Sequence, residues 1–235
     1  FPVFPMEFTD PETGEKWHGY KEDGYLPEAF INMLALLGWN PGTEQEIFTL
    51  QELCDQFSLE RVNKSGARFN PDKAKWFNHK YIQNKSNEEL TELFLPILQE
   101  KGISADPAKT AKIIGLVKDR ISFVKELWAQ TSYFFIAPES YEEKSVKKRW
   151  KEDTPERMKE LIEILENITD FASEDTEKIV LGWITENNYH MGNVMNAFRL
   201  AVVGECKGPH MFDITTILGK EETIKRIKKA IEVLQ

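Results

Sequence analysis

Residues 24–39 read GYLPEAFINMLALLGW, and this stretch decides the fold class. Pro27 suits the first position of a helix, because the N–H that proline lacks has no partner there. Apolar side chains follow at helical spacing, and Gly38 stands where a C-terminal cap is expected. The stretch therefore predicts an α-helix that buries one face.

Similar signals recur along the chain and predict further helices. Each is either a capping box or a proline that directly follows an N-cap residue, and both mark a helix start. They stand at 49–52, 70–71, 86–89, 106–107 and 154–155. After residue 107 the apolar residues continue at helical spacing as far as Val124. Little strand pattern follows residue 25, so the predicted fold is mainly α.

The first 23 residues differ from the rest of the chain. They alternate proline, aromatic residues and turn formers, a pattern typical of an extended segment or a β-hairpin. The clearest break between helices comes at 102–107. The sequence therefore predicts an N-terminal segment at 1–23 and two consecutive helical bundles, 24–104 and 105–235.

Composition excludes several classes of protein. The chain has 235 residues, 41% of them hydrophobic, so it is neither a disordered chain nor a disulfide scaffold. No stretch approaches the roughly 20 apolar residues of a membrane span. Cys54 and Cys206 fit no metal or redox spacing, and Cys54 is expected to be a buried thiol. With no apolar signal-peptide core near the start, we expect a cytoplasmic protein that does not enter a membrane.

The net charge of −9 conceals two basic runs. Residues 61–85 contain seven basic side chains and one acidic side chain, with aromatic residues between them. Residues 144–151 contain five basic side chains and no acidic one. Each run is either a solvated helix face or a surface for phosphate groups, and the pattern leaves both open.

Catalytic motifs are absent from the sequence. It contains no GxxxxGK[ST] loop, no GxGxxG and no GxSxG. The four histidines have no second ligand at metal-binding spacing. We therefore predict no catalytic residue and no metal site, and the motifs alone indicate a helical binding module.

The stretch 24–39 resembles bacterial glutamyl-tRNA synthetases. The resemblance continues through RVNKSGARF at 61–69 and RLAVVG at 199–204, and it covers nearly the whole chain. It implies that 24–104 contacts the tRNA stem and that 105–235 is the anticodon-binding helical bundle.

The resemblance also implies what the chain lacks. Neither a His-Ile-Gly-His sequence nor a Lys-Met-Ser-Lys-Arg sequence occurs, and the chain begins with Phe1. It is therefore expected to be the C-terminal part of a ligase whose full length uses ATP and Mg²⁺, and to be inactive and without a cofactor by itself. The expected partners are glutamate tRNA and the protein's own catalytic domain, with a monomeric chain. The alternative is a helical protein-interaction module without an RNA role.

Site residues follow from the resemblance. The implied anticodon contacts are Arg120, Arg199, Lys207, Gly208 and Met211. The implied tRNA backbone contacts are Arg61, Lys64, Arg68, Lys73 and Lys118. Arg120 falls at the position that reads the third anticodon base, which implies an enzyme that favours glutamate tRNA over glutamine tRNA. The alternative for Arg120 is a surface ion pair with Asp119 or Glu126.

Overall fold

The computed structural model describes residues 8–9, 11–14, 16–64 and 66–234. Two short strands, β1 (Phe8–Thr9) and β2 (Lys16–Trp17), pair in antiparallel register. Much of the predicted N-terminal segment at 1–23 lies outside the described residues, and a hairpin there stays a prediction. Its last residues differ from the prediction, because Tyr20–Asp23 form a helical turn whose Tyr20 ring packs 4.3 Å from that of Phe30.

Helices account for most of the described chain, and the mainly α fold is confirmed. They are α1 (Tyr20–Asp23), α2 (Pro27–Gly38), α3 (Leu50–Gln56), α4 (Pro71–Asn84), α5 (Asn87–Glu100), α6 (Pro107–Gly115), α7 (Glu126–Phe135), α8 (Glu143–Arg149), α9 (Thr154–Asn167), α10 (Ser173–Glu186), α11 (Met191–Val203), α12 (Met211–Leu218) and α13 (Lys220–Val233). Among the described residues, every helix is too short or too polar to cross a lipid bilayer.

Four of the five predicted helix starts are confirmed by side-chain capping bonds, whereas the helix predicted at 154–155 begins at Thr154 without a side-chain cap bond from Asp153. The hydroxyl oxygens of Thr49 and Ser86 each accept a hydrogen bond from the backbone N–H three residues ahead. The carboxylate of the glutamate at that position accepts one from the backbone N–H of the capping residue, which completes both capping boxes. Asn70 and Asp106 likewise cap α4 and α6, each directly before a proline. These starts were predictable because each depends on four adjacent residues.

The chain divides into two compact units, residues 1–128 and 129–235, and the division falls within α7. It comes later than the boundary predicted at 104/105, because α6 packs against α5 inside the first unit. The division of labour between stem contact and anticodon binding at 104/105 stays a prediction.

Helix α6 is shorter than its apolar pattern suggested. Its last residue, Gly115, lies close to α5, because a Cβ there would be 2.8 Å from the side-chain Nδ2 of Asn87. The helix ends there, and the chain continues through a short 3-10 turn at Lys118–Arg120. Ile121 and Val124 are buried as expected, although they lie beyond the helix.

Two apolar clusters form the core around α2 and α4 in the first unit. Met33, Ala74 and Phe77 make one cluster, and Trp39 packs with Phe48 and Leu53 in the other. The fully buried Asn32 lies beside them, and its Oδ1 accepts hydrogen bonds from the Phe48 N–H and the Tyr81 hydroxyl. Cys54, by contrast, is exposed, so the prediction of a buried thiol was wrong. It lies on the outer face of α3.

The second unit packs helices α9 to α13 around a continuous apolar interior. Met158, Leu161, Phe198 and Ile227 are fully buried there. One charged side chain, Arg226 of α13, lies within this interior and is only 3% exposed.

Candidate functional site

Arg61 ends a short 3-10 turn, Leu59–Arg61, and its guanidinium is held by a neighbouring loop. Nη1 donates a hydrogen bond to the carbonyl oxygen of Pro41. It also lies 3.7 Å from the position that a Cβ on Gly42 would take. Because the acceptor is neutral, the positive charge of Arg61 remains available at an exposed position.

Lys64 and Arg68 lie on the loop before α4, and both are exposed. Neither forms an ion pair with a residue that the structure describes. Gly66 lies between them in open space. Their charges are therefore uncompensated and can meet a phosphate group without displacing a carboxylate.

Lys73 and Lys118 are already engaged. Lys73 Nζ lies 2.6 Å from a carboxylate oxygen of Glu46, which compensates its charge. Lys118 Nζ donates to the backbone oxygen of Lys85 at 3.3 Å, which leaves its charge in place. Lys85 itself is paired with Glu28 at 2.7 Å. Two of the seven basic side chains of the run at 61–85, Lys73 and Lys85, are thus paired with glutamates from outside the run.

Arg120 projects from a turn that α4 holds in place. The turn runs from Lys118 to Arg120, and the two residues that follow it bond to adjacent side chains of α4. His79 Nδ1 lies 2.7 Å from the Ile121 carbonyl oxygen, and Asn78 Nδ2 donates to the Ser122 carbonyl oxygen. Asn78 is fully buried, so its position is fixed. No local sequence pattern predicts this support, because the contacts span more than forty residues.

The ion-pair alternative for Arg120 finds no support. The Glu126 carboxylate accepts hydrogen bonds from the N–H groups of Ser122 and Phe123, and Asp119 lies 3.4 Å from the Gln83 amide. Arg120 is exposed and forms no ion pair within the described ranges. Its five N–H donors are therefore open to an external acceptor.

In the second unit, the structure brings Arg199 and Gly208 together. Arg199 lies near the end of α11, and Gly208 lies in the loop that follows, at φ +133°. A Cβ on Gly208 would lie 3.1 Å from Arg199 Nη1 and 3.4 Å from the Tyr133 hydroxyl oxygen. The predicted pair of contact residues is therefore also a packed pair.

Lys207 and Met211 border the same loop but differ in exposure. Lys207 is exposed, whereas Met211 is the first residue of α12 and is 1% exposed. The resemblance implied an anticodon contact by Met211, but its side chain is buried in the second unit, so we do not include it among the proposed RNA contacts.

Nucleotide and metal chemistry has no support in this chain. The sequence contains neither class I signature and no phosphate-binding loop. In the part of the chain that the structure describes, no three His, Cys, Asp or Glu side chains are grouped to hold a metal ion.

Two models of known protein families match this chain. The family model described as "Anticodon binding domain" matches residues 89–231. The model described as "tRNA synthetases class I (E and Q), catalytic domain" matches residues 12–76. That second match covers part of the segment that the sequence analysis assigned to stem contact.

Individual relatives match the chain over its whole length. It is 59% identical over 235 residues to a glutamate–tRNA ligase of Phocaeicola vulgatus and 59% identical to one of Bacteroides fragilis, covering 46% of each. The crystal structure of a glutamate tRNA ligase from Elizabethkingia meningosepticum, in complex with its amino acid, superposes with a TM-score of 0.91. It is 46% identical, and the match covers 100% of this chain and 47% of that one.

The chain thus spans about half the length of the curated relatives that it matches. The anticodon-binding model covers well over half of the chain, and these full-length relatives are all glutamate–tRNA ligases. The chain therefore belongs to the family of the anticodon-binding domain, as it occurs in glutamate–tRNA ligases.

Proposed function

We propose that this chain is the tRNA-recognising part of a glutamate–tRNA ligase. It binds the anticodon and the stem of glutamate tRNA, so that the catalytic part of the longer protein attaches glutamate in an ATP-dependent reaction. The chain itself supplies binding and orientation. We propose a monomer that acts in the cytoplasm.

The observation that carries the proposal is the state of Arg120. It lies inside the segment matched by the anticodon-binding model, on a turn held by Asn78 and His79. It is exposed and has no carboxylate partner among the described residues. A guanidinium in this state can donate two parallel hydrogen bonds to one base edge, which suits it to read a base in single-stranded RNA.

The distribution of charge supports an RNA partner despite the acidic total. Arg61, Lys64 and Arg68 keep uncompensated charges on one stretch of the first unit. Contacts of this kind bind phosphate groups and position the RNA without reading its sequence. Arg199 and Lys207 provide further donors in the second unit, beside Gly208.

A filter-binding titration tests the function. The 235-residue chain is titrated with glutamate tRNA and with the same tRNA carrying a replaced anticodon, at salt concentrations from about 50 to 200 mM. We expect affinity to fall steeply with salt, and the replaced anticodon to bind at least about tenfold more weakly. Failure to bind either RNA at low salt, with native circular dichroism, contradicts the proposal and favours the protein-interaction module.

A further inference from the structure

The second basic run leads into a polar pocket of the second unit. The pocket has a volume of about 350 Å³ and is lined by the end of α8, the start of α9 and the start of α11. Arg149 and Lys151 come from the run at 144–151, and Arg157 joins them from α9. The sequence analysis described this run only as a surface, because Arg157 and the residues of α11 are distant along the chain.

Positive charge predominates in the pocket. Its lining has three basic side chains and one acidic one, Asp153. The Asp153 carboxylate is paired with Arg157 at 2.6 Å. Lys151 Nζ donates to the carbonyl oxygen of Lys147, and this neutral acceptor leaves its charge in place. Arg149 is half-buried and forms no ion pair with a described residue, so its charge is the least compensated of the three.

Arg157 is held in a fixed orientation. Its guanidinium lies over the ring of Tyr189, 4.8 Å from the centroid. The Tyr189 hydroxyl donates to the Glu160 carboxylate at 3.0 Å, and this bond raises the pKa of Tyr189, which keeps the phenol neutral. The ring thus forms a fixed support for Arg157. A cation that is already ordered loses little conformational entropy when a ligand binds.

His190 adds a neutral donor at the start of α11. Its Nδ1 accepts a hydrogen bond from the backbone N–H of Asn193 at 3.3 Å. A neutral imidazole that accepts at Nδ1 carries its proton on Nε2, so Nε2 is a donor. The positive end of the α11 dipole lies at the same place and favours an anion.

We infer that this pocket binds a phosphodiester group of the RNA backbone. The inference rests on the proposed function, which supplies the RNA. The fork of a guanidinium matches the oxygen atoms of a phosphate, and Arg149 is the side chain free to approach them. Arg157 and Lys151 add positive charge, and His190 Nε2 adds a neutral donor, for one singly charged phosphodiester. The pocket thus holds the RNA backbone and does not read base sequence.

Substitution of Arg149 tests the inference, and the adjacent Lys148 provides a matched control. Lys148 is exposed in the same run but does not line the pocket. Arg149→Gln and Lys148→Gln each remove one positive charge, and neither residue makes a bond on which the fold depends. Both variants of the 235-residue chain are titrated with glutamate tRNA and with an unrelated tRNA over a range of salt.

We expect Arg149→Gln to weaken binding of both RNAs about 5–10-fold and to reduce the slope of log K against log salt by about one. Lys148→Gln should stay within about twofold of wild type. Equal effects of the two substitutions overturn the pocket, and an effect of Arg149→Gln on glutamate tRNA alone overturns the assignment to phosphate. If the unsubstituted chain binds no tRNA, the proposed function fails first and the pocket loses its ligand with it.

Discussion

Arg199 and Gly208 are in contact across the turn that follows α11, with Nη1 of the arginine 3.1 Å from where a glycine Cβ would be. Gly208 has a φ of +133°, which L side chains rarely adopt. Two separate constraints therefore require glycine at this position, one from the backbone and one from the neighbouring guanidinium. Both residues were predicted as anticodon contacts, so under the proposed function the conformation of this loop affects RNA binding.

Gly208→Ala is predicted to strain the loop and to displace Arg199. We expect a loss of about 1–3 kcal/mol in the free energy of unfolding, since the backbone must hold a disfavoured conformation. We also expect weaker binding of glutamate tRNA. Urea denaturation measures the first effect, and filter binding at a temperature where the variant is folded measures the second.

Gly182→Ala is the matched control for Gly208→Ala. Gly182 lies inside α10 of the same unit and has open space around it. Alanine there should stabilise the protein by about 0.5–1 kcal/mol, because glycine is unfavourable within a helix. Similar stabilities of the two variants would contradict the strain assigned to Gly208.

Arg120→Ala is predicted to weaken tRNA binding without affecting the fold. Arg120 is exposed and unpaired among the described residues, so the free energy of unfolding should change by less than about 0.5 kcal/mol. Loss of a bidentate base contact should weaken binding of glutamate tRNA by about 1–3 kcal/mol and relax the choice of third anticodon base. Titration with tRNAs that differ only at that base measures the choice.

Two further substitutions sharpen the test of Arg120. Arg120→Lys keeps the positive charge but removes the two parallel N–H donors of the guanidinium. We therefore expect it to bind tRNA more tightly than Arg120→Ala does, with the same loss of base choice. Lys112→Ala removes one exposed charge from the neighbouring helix α6 and should leave base choice unchanged. Unaltered base choice in Arg120→Ala would count against the role assigned to this residue.

Structural features that depend on neighbouring residues could be predicted from the sequence, whereas features that depend on distant residues could not. The capping boxes at 49–52 and 86–89 depend on neighbouring residues, and both were predicted correctly. The apolar spacing alone predicted a helix as far as Val124, whereas α6 ends at Gly115, and Ile121 and Val124 are buried beyond it by tertiary packing.

The candidate site shows the same limit. Resemblance selected Arg120 and the pair of Arg199 and Gly208. No local pattern showed that Arg120 has no ion-pair partner among the described residues, or that Lys73 has one. The pocket that joins Arg149 with Arg157 depends on Tyr189, forty residues further along the chain. Charge runs locate cations, whereas tertiary contacts decide which of these cations are compensated.

The contribution of Tyr81 to the stability of the folded protein is predicted to fall at high pH. Burial raises the pKa of Tyr81 to about 12, and its one hydroxyl proton is shared between Asn32 Oδ1 and the Phe48 carbonyl oxygen. The unfolded chain releases this proton near pH 10, so it binds fewer protons than the folded chain between about pH 10 and 12. Stability from this group is therefore complete below pH 10 and is lost as pH rises towards 12.

Tyr81→Phe isolates this contribution. Below pH 10 the variant should be about 1–3 kcal/mol less stable, because buried acceptors lose their donor. The difference from wild type should shrink above pH 10, where the folded tyrosine resists ionisation and the wild type loses stability. Urea denaturation of both proteins at pH 8, 9, 10 and 11 measures the difference, and a constant gap would contradict the raised pKa.

Arg226 is predicted to be the polar residue on which the second unit depends most. Its Nε donates to Glu222 at 2.8 Å, and its Nη1 donates to the carbonyl oxygens of Tyr133 and Val202. Arg226→Met removes all three bonds and leaves two carbonyl oxygens without this donor in a dry interior. We expect a loss of about 3–5 kcal/mol in the free energy of unfolding, the range found when one partner of a buried pair is removed.

Lys225→Met is the control, because Lys225 is 80% exposed and lies 3.9 Å from the same Glu222. That exposed pair contributes less than about 1 kcal/mol, so equal destabilisation by the two substitutions would show that charge compensation of Glu222, rather than the buried bonds of Arg226, stabilises the unit.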